Sequence, residues 1–188
     1  MGYAYASTTS YLWGGIVMLY FFISDEHFGH KAVIDYNKRP FDSVEEMDAT
    51  LIDNFNKVVG CNDVTVHAGD FCWSSKREDI YKKYVKKLNG NHIFLKGSHD
   101  RWLPDSAKMV WEKTIEKQPV VVCHYAFRVW GRSHYNSWNL YGHSHGRLDP
   151  VGKQWDIGVD NNDFHPVSWD QIKIIMKGRP DNFNYVRR

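Results

Sequence analysis

The 188-residue chain is long enough to bury a substantial core and is close to the size of a single domain. Apolar residues make up 43% and charged residues 24% of the chain, and this composition excludes a disordered protein. The formal net charge of +2 excludes avid binding of nucleic acid or membranes through a strong overall field, so any anion site must be local.

The N-terminal stretch is partly apolar, but no Lys or Arg precedes Lys31, and Gly14-Gly15 interrupts the apolar run. It therefore lacks the features of a secretory signal or a membrane span. We interpret residues 1–17 as an extension of unassigned role and residues 18–188 as one domain. The cysteines form no C-x-x-C pair, which predicts free thiols in a reducing cytoplasm; they are Cys61, Cys72 and Cys123.

The first half of the chain alternates between predicted strands and helices. Short apolar runs indicate strands, and apolar residues at helical spacing indicate helices. Ser43 and Glu46 match a capping box, which marks the start of the first long helix. The predicted elements are a strand at 19–23, a helix at 44–58, a strand at 64–66, a helix at 80–88 and a strand at 93–95.

The second half is richer in strands separated by polar turns. Ser168 is positioned to cap a final helix, which Gly178 and Pro180 would end. A βαβα opening followed by a β-rich half predicts an α/β protein with two sheets packed face to face and helices outside. The predicted elements are strands at 120–122, 138–141 and 155–159 and a helix at 169–176.

Acidic residues and several of the ten histidines fall in clusters, and each cluster directly follows an apolar run. A loop at the end of a strand presents such side chains into a crevice. Carboxylates and neutral imidazoles are expected ligands for Mn, Fe, Zn or Ni. On an extended strand end, alternate residues such as Asp25 and His27, or His143 and His145, would point the same way and could share a centre. The clusters are 25–30, Gly69-Asp70, 97–100, Cys123-His124 and 142–146.

In this order, the clusters resemble the calcineurin-like metallophosphoesterase family, whose pattern is D-x-H, G-D, G-N-H-D/E, H and G-H-x-H. The resemblance extends from about Leu19 to Asp160. The segment 27–30, together with Tyr36 and the run 39–41, is similar to the small bacterial and phage members. The resemblance implies a four-layer α/β/β/α sandwich with two mixed β-sheets. It also implies a dinuclear metal centre that hydrolyses phosphate esters.

Residue by residue, the resemblance implies two divalent cations, with manganese favoured over iron, zinc and nickel. It also implies that a hydroxide between the two ions attacks phosphorus. The implied ligands are Asp25, His27 and His145 for one ion, His124 and His143 for the other, and Asp70 as the bridge.

The resemblance further implies that His99 protonates the leaving oxygen and that Asp100 holds the His99 ring in the useful tautomer. One position departs from the family pattern. Ser98 stands where the family has asparagine as a ligand of the second ion. Because a serine hydroxyl is shorter and a poorer ligand, we expect a weaker second metal site and lower turnover.

Three further residues are candidates for binding substrate. His30 could touch substrate or only pack its loop, and Arg39 could bind a phosphate bidentately or remain solvated. Arg128 belongs to a segment that could stack a base, or could instead form an ordinary packed hairpin. This aromatic segment contains Tyr125, Phe127, Arg128, Trp130, Arg132, Tyr135 and Trp138.

The leading hypothesis is a metal-dependent phosphoesterase, with phosphodiesters, nucleotides or nucleic-acid ends as favoured substrates and no membrane partner. The alternative is a catalytically weak scaffold that binds another protein. A histidine-rich metal carrier fits poorly, because the ligands are dispersed along the chain. We interpret the lysines at 82–83 and 86–87 as a solvated helix face. Four other histidines are interpreted as structural or surface residues; they are His67, His92, His134 and His165.

Overall fold

The structure is a computed structural model that describes the backbone of residues 11–13 and 16–187 and the side chains of residues 18–187. Its strands are β1 (Tyr11–Trp13), β2 (Ile16–Met18), β3 (Tyr20–Ile23), β4 (Val64–His67), β5 (Asn91–Phe94), β6 (Val110–Ile115), β7 (Gln118–Cys123), β8 (Trp138–Tyr141), β9 (Gln154–Asp156) and β10 (Val167–Ser168). Its helices are α1 (Lys31–Asn37), α2 (Val44–Val58), α3 (Arg77–Lys83) and α4 (Trp169–Gly178).

Two four-stranded mixed sheets form the body of the protein. The first has the strand order β10-β3-β4-β5, in which β3, β4 and β5 are parallel and β10 is antiparallel to β3. The second has the order β6-β7-β8-β9, in which β7, β8 and β9 are parallel and β6 is antiparallel to β7. In addition, β1 and β2 form a two-stranded antiparallel pair. The predicted α/β class with two mixed sheets is confirmed.

Strand β3 shows how the two sides of the first sheet are covered. All four of its residues are buried, and successive side chains point to opposite faces. Phe21 and Ile23 pack with α1, α2 and α3 on one face. Tyr20 and Phe22 face the second sheet, where they share a core with the apolar side chains of β7, β8 and α4. A strand buried on both faces reads as a continuous apolar run, which is why the sequence predicted it.

Helix ends follow the capping signals in the sequence. The Ser43 side chain accepts a hydrogen bond from the Glu46 backbone at 3.1 Å and begins α2. Ser168 and Gln171 form a full capping box that begins α4. The helix predicted at 80–88 instead begins at Arg77, ends at Lys83 and continues as a 3₁₀ turn.

Several short elements escaped prediction, namely α1, β6 and β10. β6 exposes most of its side chains and β10 has only two residues, so neither carries a strong apolar pattern. β1 and β2 were not predicted either, because residues 1–17 were treated as an extension. In the part of the chain that the structure describes, no helix has the length and apolarity needed to cross a membrane.

The parallel strands bring the loops of both sheets to one edge of the molecule. Pairing aligns Ile23 with His67 and His67 with Phe94, so β3, β4 and β5 end side by side. β7, β8 and β9 are aligned in the same way in the second sheet. A parallel bridge between Ser24 and Gly158 joins the two sheets at this edge. The polar clusters therefore converge, because each follows the carboxyl end of a strand.

Candidate metal centre

The loops at this edge gather six potential ligands into two groups. The three potential ligand atoms of each group all lie within 4.8 Å of one another. The first group follows β3 and β8, and the second follows β4, β7 and β8. The first group consists of Asp25, His27 and His145, and the second group consists of Asp70, His124 and His143. The family resemblance implied the same separation of the other five residues and assigned Asp70 as a bridge between the two ions.

Asp70 connects the two groups. One of its carboxylate oxygens, Oδ2, lies 3.2 Å from His124 Nε2 and 3.8 Å from His27 Nε2. His143 Nδ1 lies 3.2 Å from the same His124 nitrogen. Asp70 Oδ2 thus lies near one histidine of each group, which is the position that a ligand shared by two cations would need.

Three of the histidines have one ring nitrogen fixed by a neighbour, which leaves the other for a cation. His124 Nδ1 donates to the Ala68 carbonyl at 3.0 Å. His145 Nδ1 lies 2.7 Å from Asp160 Oδ2, and His27 Nδ1 lies 3.3 Å from His30 Nδ1. These contacts orient the Nε2 atom of each ring before any ion binds.

The residues of the first group fit a cation because two of their atoms lack other partners. Asp25 Oδ1 and His27 Nε2 are buried, and neither has a hydrogen-bond partner among the described residues. Buried polar atoms without a partner are rare and costly in folded proteins. A divalent cation would satisfy both atoms, and carboxylate with imidazole is a suitable donor set for Mn, Fe, Zn or Ni.

Burial controls the ionisation of the first group. It raises the pKa of Asp25 to about 7 and lowers the pKa of His27 to about 3. For Asp70, burial alone would raise the pKa, but the hydrogen bond and charge of His124 outweigh it and hold the pKa below its ordinary value. His27 is thus neutral and Asp70 ionised at neutral pH, the forms that bind metal.

The backbone of the ligand loops is locally strained. Positive φ angles occur at Asp25 (60°), His27 (53°), Asp70 (56°), His143 (68°) and His145 (48°). Such values are uncommon for residues with a Cβ and are concentrated at functional sites. The expectation of extended strand ends at Asp25 with His27 and at His143 with His145 is wrong. The paired side chains converge because the chain turns, since extended residues do not have positive φ.

Two motif glycines allow these loops to approach each other. A Cβ on Gly97 would collide with the backbone and carboxylate of Asp70. A Cβ on Gly142 would collide with Ser24 and with the carboxylate of Asp25. The glycines in the G-S-H-D and G-H-S-H motifs are therefore required by contact with ligand residues.

His99 lies at the open side of the centre. Its side chain is 39% exposed, and its Nε2 lies 3.9 Å from Asp70 Oδ2. The Ser98 hydroxyl donates to Asp70 Oδ2 at 2.9 Å. Ser98 thus touches the bridging candidate, and a cation held by Asp70 would lie near it.

Asp100 does not hold the His99 ring, so the role predicted for it is corrected. Its buried carboxylate accepts hydrogen bonds from the backbone of Asp70, Phe71 and Gly97 and from the Trp102 indole, at 2.7 to 3.1 Å. Four donors leave little capacity for an imidazole. Asp100 instead ties the loop after β4 to the loop after β5.

Both interpretations of Arg39, a phosphate contact or a solvated side chain, are corrected, because its guanidinium is buried and bonded to protein groups. The Arg39 side chain is 0% exposed, and its guanidinium binds both oxygens of Asp160 at 2.8 Å. It also donates to the carbonyls of Asp25 and Glu26. Asp160, which sequence reasoning missed, therefore links Arg39 to His145. An acid shortly after the apolar run 155–159 was the signal that could have revealed it.

Aromatic rings flank the centre on two sides. The His30 ring stacks on Trp73 with centroids 3.9 Å apart, and Trp73 lies 4.8 Å from His99. Tyr125 lies 4.9 Å from both His124 and His143. Trp73 was not anticipated, because it lies outside the predicted aromatic segment.

The rest of the aromatic segment gives less support to base stacking. Trp130 is buried and donates to the Ser137 carbonyl at 3.1 Å, as in a packed hairpin. The Arg128 guanidinium lies 5.6 Å from the ring centre of Phe183, near the C-terminus. Of this segment, Tyr125 is the residue in contact with the ligand groups.

His67 and His92 are structural, as interpreted from the sequence. His67 is fully buried; its Nδ1 lies 2.5 Å from Glu26 Oε1 and its Nε2 lies 3.1 Å from His92 Nδ1. Burial lowers the pKa of His67 to about 3 and raises the pKa of Glu26 well above its ordinary value. This pair anchors the loop between Asp25 and His27 to β4.

Comparison with known protein families agrees with the fold and with the two groups of potential ligands. The chain belongs to the calcineurin-like phosphoesterase family, whose model matches residues 18–185. Members of this family typically bind divalent metals, and the two ligand groups match that property.

Two relatives extend the comparison. The chain is 29% identical over 167 residues to the uncharacterized protein MJ1445 of Methanocaldococcus jannaschii, a match that covers 85% of this chain and 92% of the relative. The fold of this chain is similar to the crystal structure of AQ665, a protein of unknown function from Aquifex aeolicus. That similarity has a TM-score of 0.64 and 22% identity, and it covers 84% of this chain and 99% of the other.

Proposed function

We propose that this protein is a metal-dependent hydrolase of phosphate esters, with phosphodiesters and nucleotide-like esters as its favoured substrates. The observation that carries the proposal is the convergence of two Asp/His groups on Asp70 Oδ2, with His99 exposed beside them. Bound there, two divalent cations, manganese being the favoured metal, would activate a water nucleophile and neutralise charge on the phosphoryl group.

The residues of the chain have separate tasks in this proposal. Asp25, His27 and His145 hold one cation, and His124 and His143 hold the other, with Asp70 between them. His99 is the general acid, because its ring is exposed beside the centre and lies outside both ligand groups. His30 lies next to His27 at the same opening and is proposed to contact substrate.

Residues 18–188 are proposed to act as one domain, since the centre draws ligands from loops of both sheets. A reducing cytoplasm is the proposed compartment. All three cysteines are free, and two of them, Cys72 and Cys123, are buried as thiols.

The first experiment tests hydrolysis directly. Protein freed of metal and reloaded with Mn²⁺ is assayed on bis(p-nitrophenyl) phosphate and on p-nitrophenyl phosphate. We expect activity that EDTA removes and that His99→Ala lowers by about 10²- to 10⁴-fold with metal content retained. His134→Ala removes an exposed histidine outside the ligand groups and serves as the matched control, with an unchanged rate.

Ser98 is the observation that favours a second candidate function, a catalytically weak scaffold that binds another protein. The Ser98→Asn variant separates the two, because an asparagine amide oxygen reaches further than the serine hydroxyl and is a better ligand. If the protein is an enzyme, Ser98→Asn raises Mn²⁺ affinity and turnover by about tenfold. Absence of hydrolysis in both the parent and Ser98→Asn would support the scaffold instead.

A further inference from the structure

Trp73 is a large apolar side chain placed at the opening of the metal centre. It is 48% exposed, although its neighbours Phe71 and Cys72 are each 1% exposed. Its backbone N–H donates to the Phe28 carbonyl at 3.1 Å, so the residue is anchored to the loop that carries His27. The core therefore does not require its ring, while the backbone contact places the residue beside the centre.

The surroundings of the ring indicate what it faces. His30 lies against it, with the two rings only 10° from parallel and their centroids 3.9 Å apart. His99 lies 4.8 Å away. In the proposed reaction His99 protonates the leaving oxygen, so the leaving group must lie beside His99 and within reach of Trp73. Tyr125 contacts the rings of the second group instead, on the other part of the centre.

We propose that Trp73 forms a leaving-group subsite that binds a planar aromatic group, aryl or nucleobase, by ring stacking. This inference rests on the proposed function and adds to it the class of leaving group. Indole is a large π surface, and stacking of a planar ring on it is favourable and tolerant of ring identity. A saturated alkyl leaving group gains less from such a surface because it has no ring to stack.

The kinetic test compares two diesters that differ in the leaving group. Methyl p-nitrophenyl phosphate has a planar leaving group, and a methyl trifluoroethyl diester has a saturated one. For each substrate, kcat/KM of Trp73→Leu is divided by kcat/KM of the parent. This ratio cancels the intrinsic reactivity of the ester. We expect kcat/KM to fall about tenfold for the aryl diester and less than about twofold for the alkyl diester.

Two variants control this comparison. Trp73→Phe retains a ring and is expected to keep most of the aryl preference. Tyr81→Leu removes another exposed aromatic side chain, on α3, and is expected to change neither rate. Equal losses on both diesters in Trp73→Leu, or no loss on either, would overturn the subsite.

A binding measurement separates failure of the subsite from failure of the proposed function. Calorimetric titration of the Mn²⁺-loaded protein with 1-naphthylphosphonate and with methylphosphonate requires no turnover. In the parent, we expect the naphthyl compound to bind about tenfold more tightly than methylphosphonate. In Trp73→Leu, we expect the two compounds to bind with equal affinity. Equal affinities in the parent, or a preference that survives in Trp73→Leu, would refute the subsite. An aryl preference in a protein without hydrolysis would refute the proposed function and leave Trp73 as an aryl-binding site without a leaving-group role.

Discussion

For single residues, the candidate metal centre depends on side chains that lie outside the two groups of potential ligands. Asp160 shows this clearly, because it receives two hydrogen bonds from the buried Arg39 guanidinium and one from His145. Burial alone would raise the pKa of Asp160, but these partners lower it to about 2, so it is ionised at neutral pH. A fixed carboxylate on His145 Nδ1 orients the ring and increases its basicity as a ligand.

The Asp160→Asn variant is expected to weaken metal binding, because the amide removes the charge that His145 and Arg39 share. Mn²⁺ affinity should fall by about 10- to 100-fold in a calorimetric titration. Asp105→Asn is the matched control, since Asp105 is a fully exposed carboxylate that pairs with Lys96 on the surface. An affinity in Asp160→Asn equal to that of the control would show that Asp160 does not support the ligand.

At the scale of elements, the site is a set of loops tied together at the ends of parallel strands. Asp100 fastens the loop after β4 to the loop after β5 through its four hydrogen-bond donors. Strained backbone at Asp70, with φ of 56°, persists only where neighbours hold it. Protein contacts alone therefore hold these two loops together, which favours a preformed site.

Replacing Asp100 tests this role against the one inferred from the sequence. In Asp100→Asn, an NH₂ group would face backbone N–H donors, so we expect the free energy of unfolding to fall by about 2–3 kcal/mol. His99→Ala should cost less than about 1 kcal/mol, because that ring is 39% exposed. Urea unfolding of both variants makes the comparison. Similar losses would contradict the loop-fastening role of Asp100.

At the scale of the whole molecule, stability depends on polar groups buried between α2 and the first sheet. The chain Glu26, His67 and His92 is surrounded by the rings of Phe55, Phe71 and Phe94. Burial, with the nearby His67, lowers the pKa of His92 to about 4. Burial disfavours the charged forms of all three groups, so a change of pH should affect the whole fold and not only the site.

The sign of this pH effect follows from proton binding. Folded His92 stays neutral down to about pH 4, whereas the unfolded ring takes up a proton below its ordinary value of 6.5. The unfolded chain then binds more protons, so the free energy of unfolding falls as the pH falls from 6.5 to 4. Between pH 6.5 and 5 we expect His92 to lower the free energy of unfolding by on the order of 1 kcal/mol, a figure discounted for the partial exposure of the ring.

Urea unfolding of the metal-free protein at pH 7 and pH 5 checks the expectation. His92→Gln should lose less stability than the parent over this interval, because glutamine does not titrate. His134→Gln removes an exposed histidine and should behave as the parent does. The same pH dependence in His92→Gln and in the parent would exclude His92 as the cause.

The strands buried on both faces, the capped helices and the order of the polar clusters could all be predicted from the amino-acid sequence. These features are local: a continuous apolar run, a Ser–x–x–Glu cap and a glycine beside an acid are each set by neighbouring residues. Parallel β-sheets place strand ends together by a general rule, so the ligand clusters could be expected to meet before the structure was known.

The polar neighbours that support the potential ligands are set by tertiary packing and could not be predicted from the sequence. Arg39 meets Asp160 across 121 residues, and Glu26 meets His67 across 41. No local pattern encodes such pairs, because a buried charge takes whichever partner the packing brings to it. For the same reason, Asp100 bonds to backbone N–H groups rather than to His99, and Trp73 lies beside the site. Local physics set the elements, and packing between distant segments set the partners of each side chain.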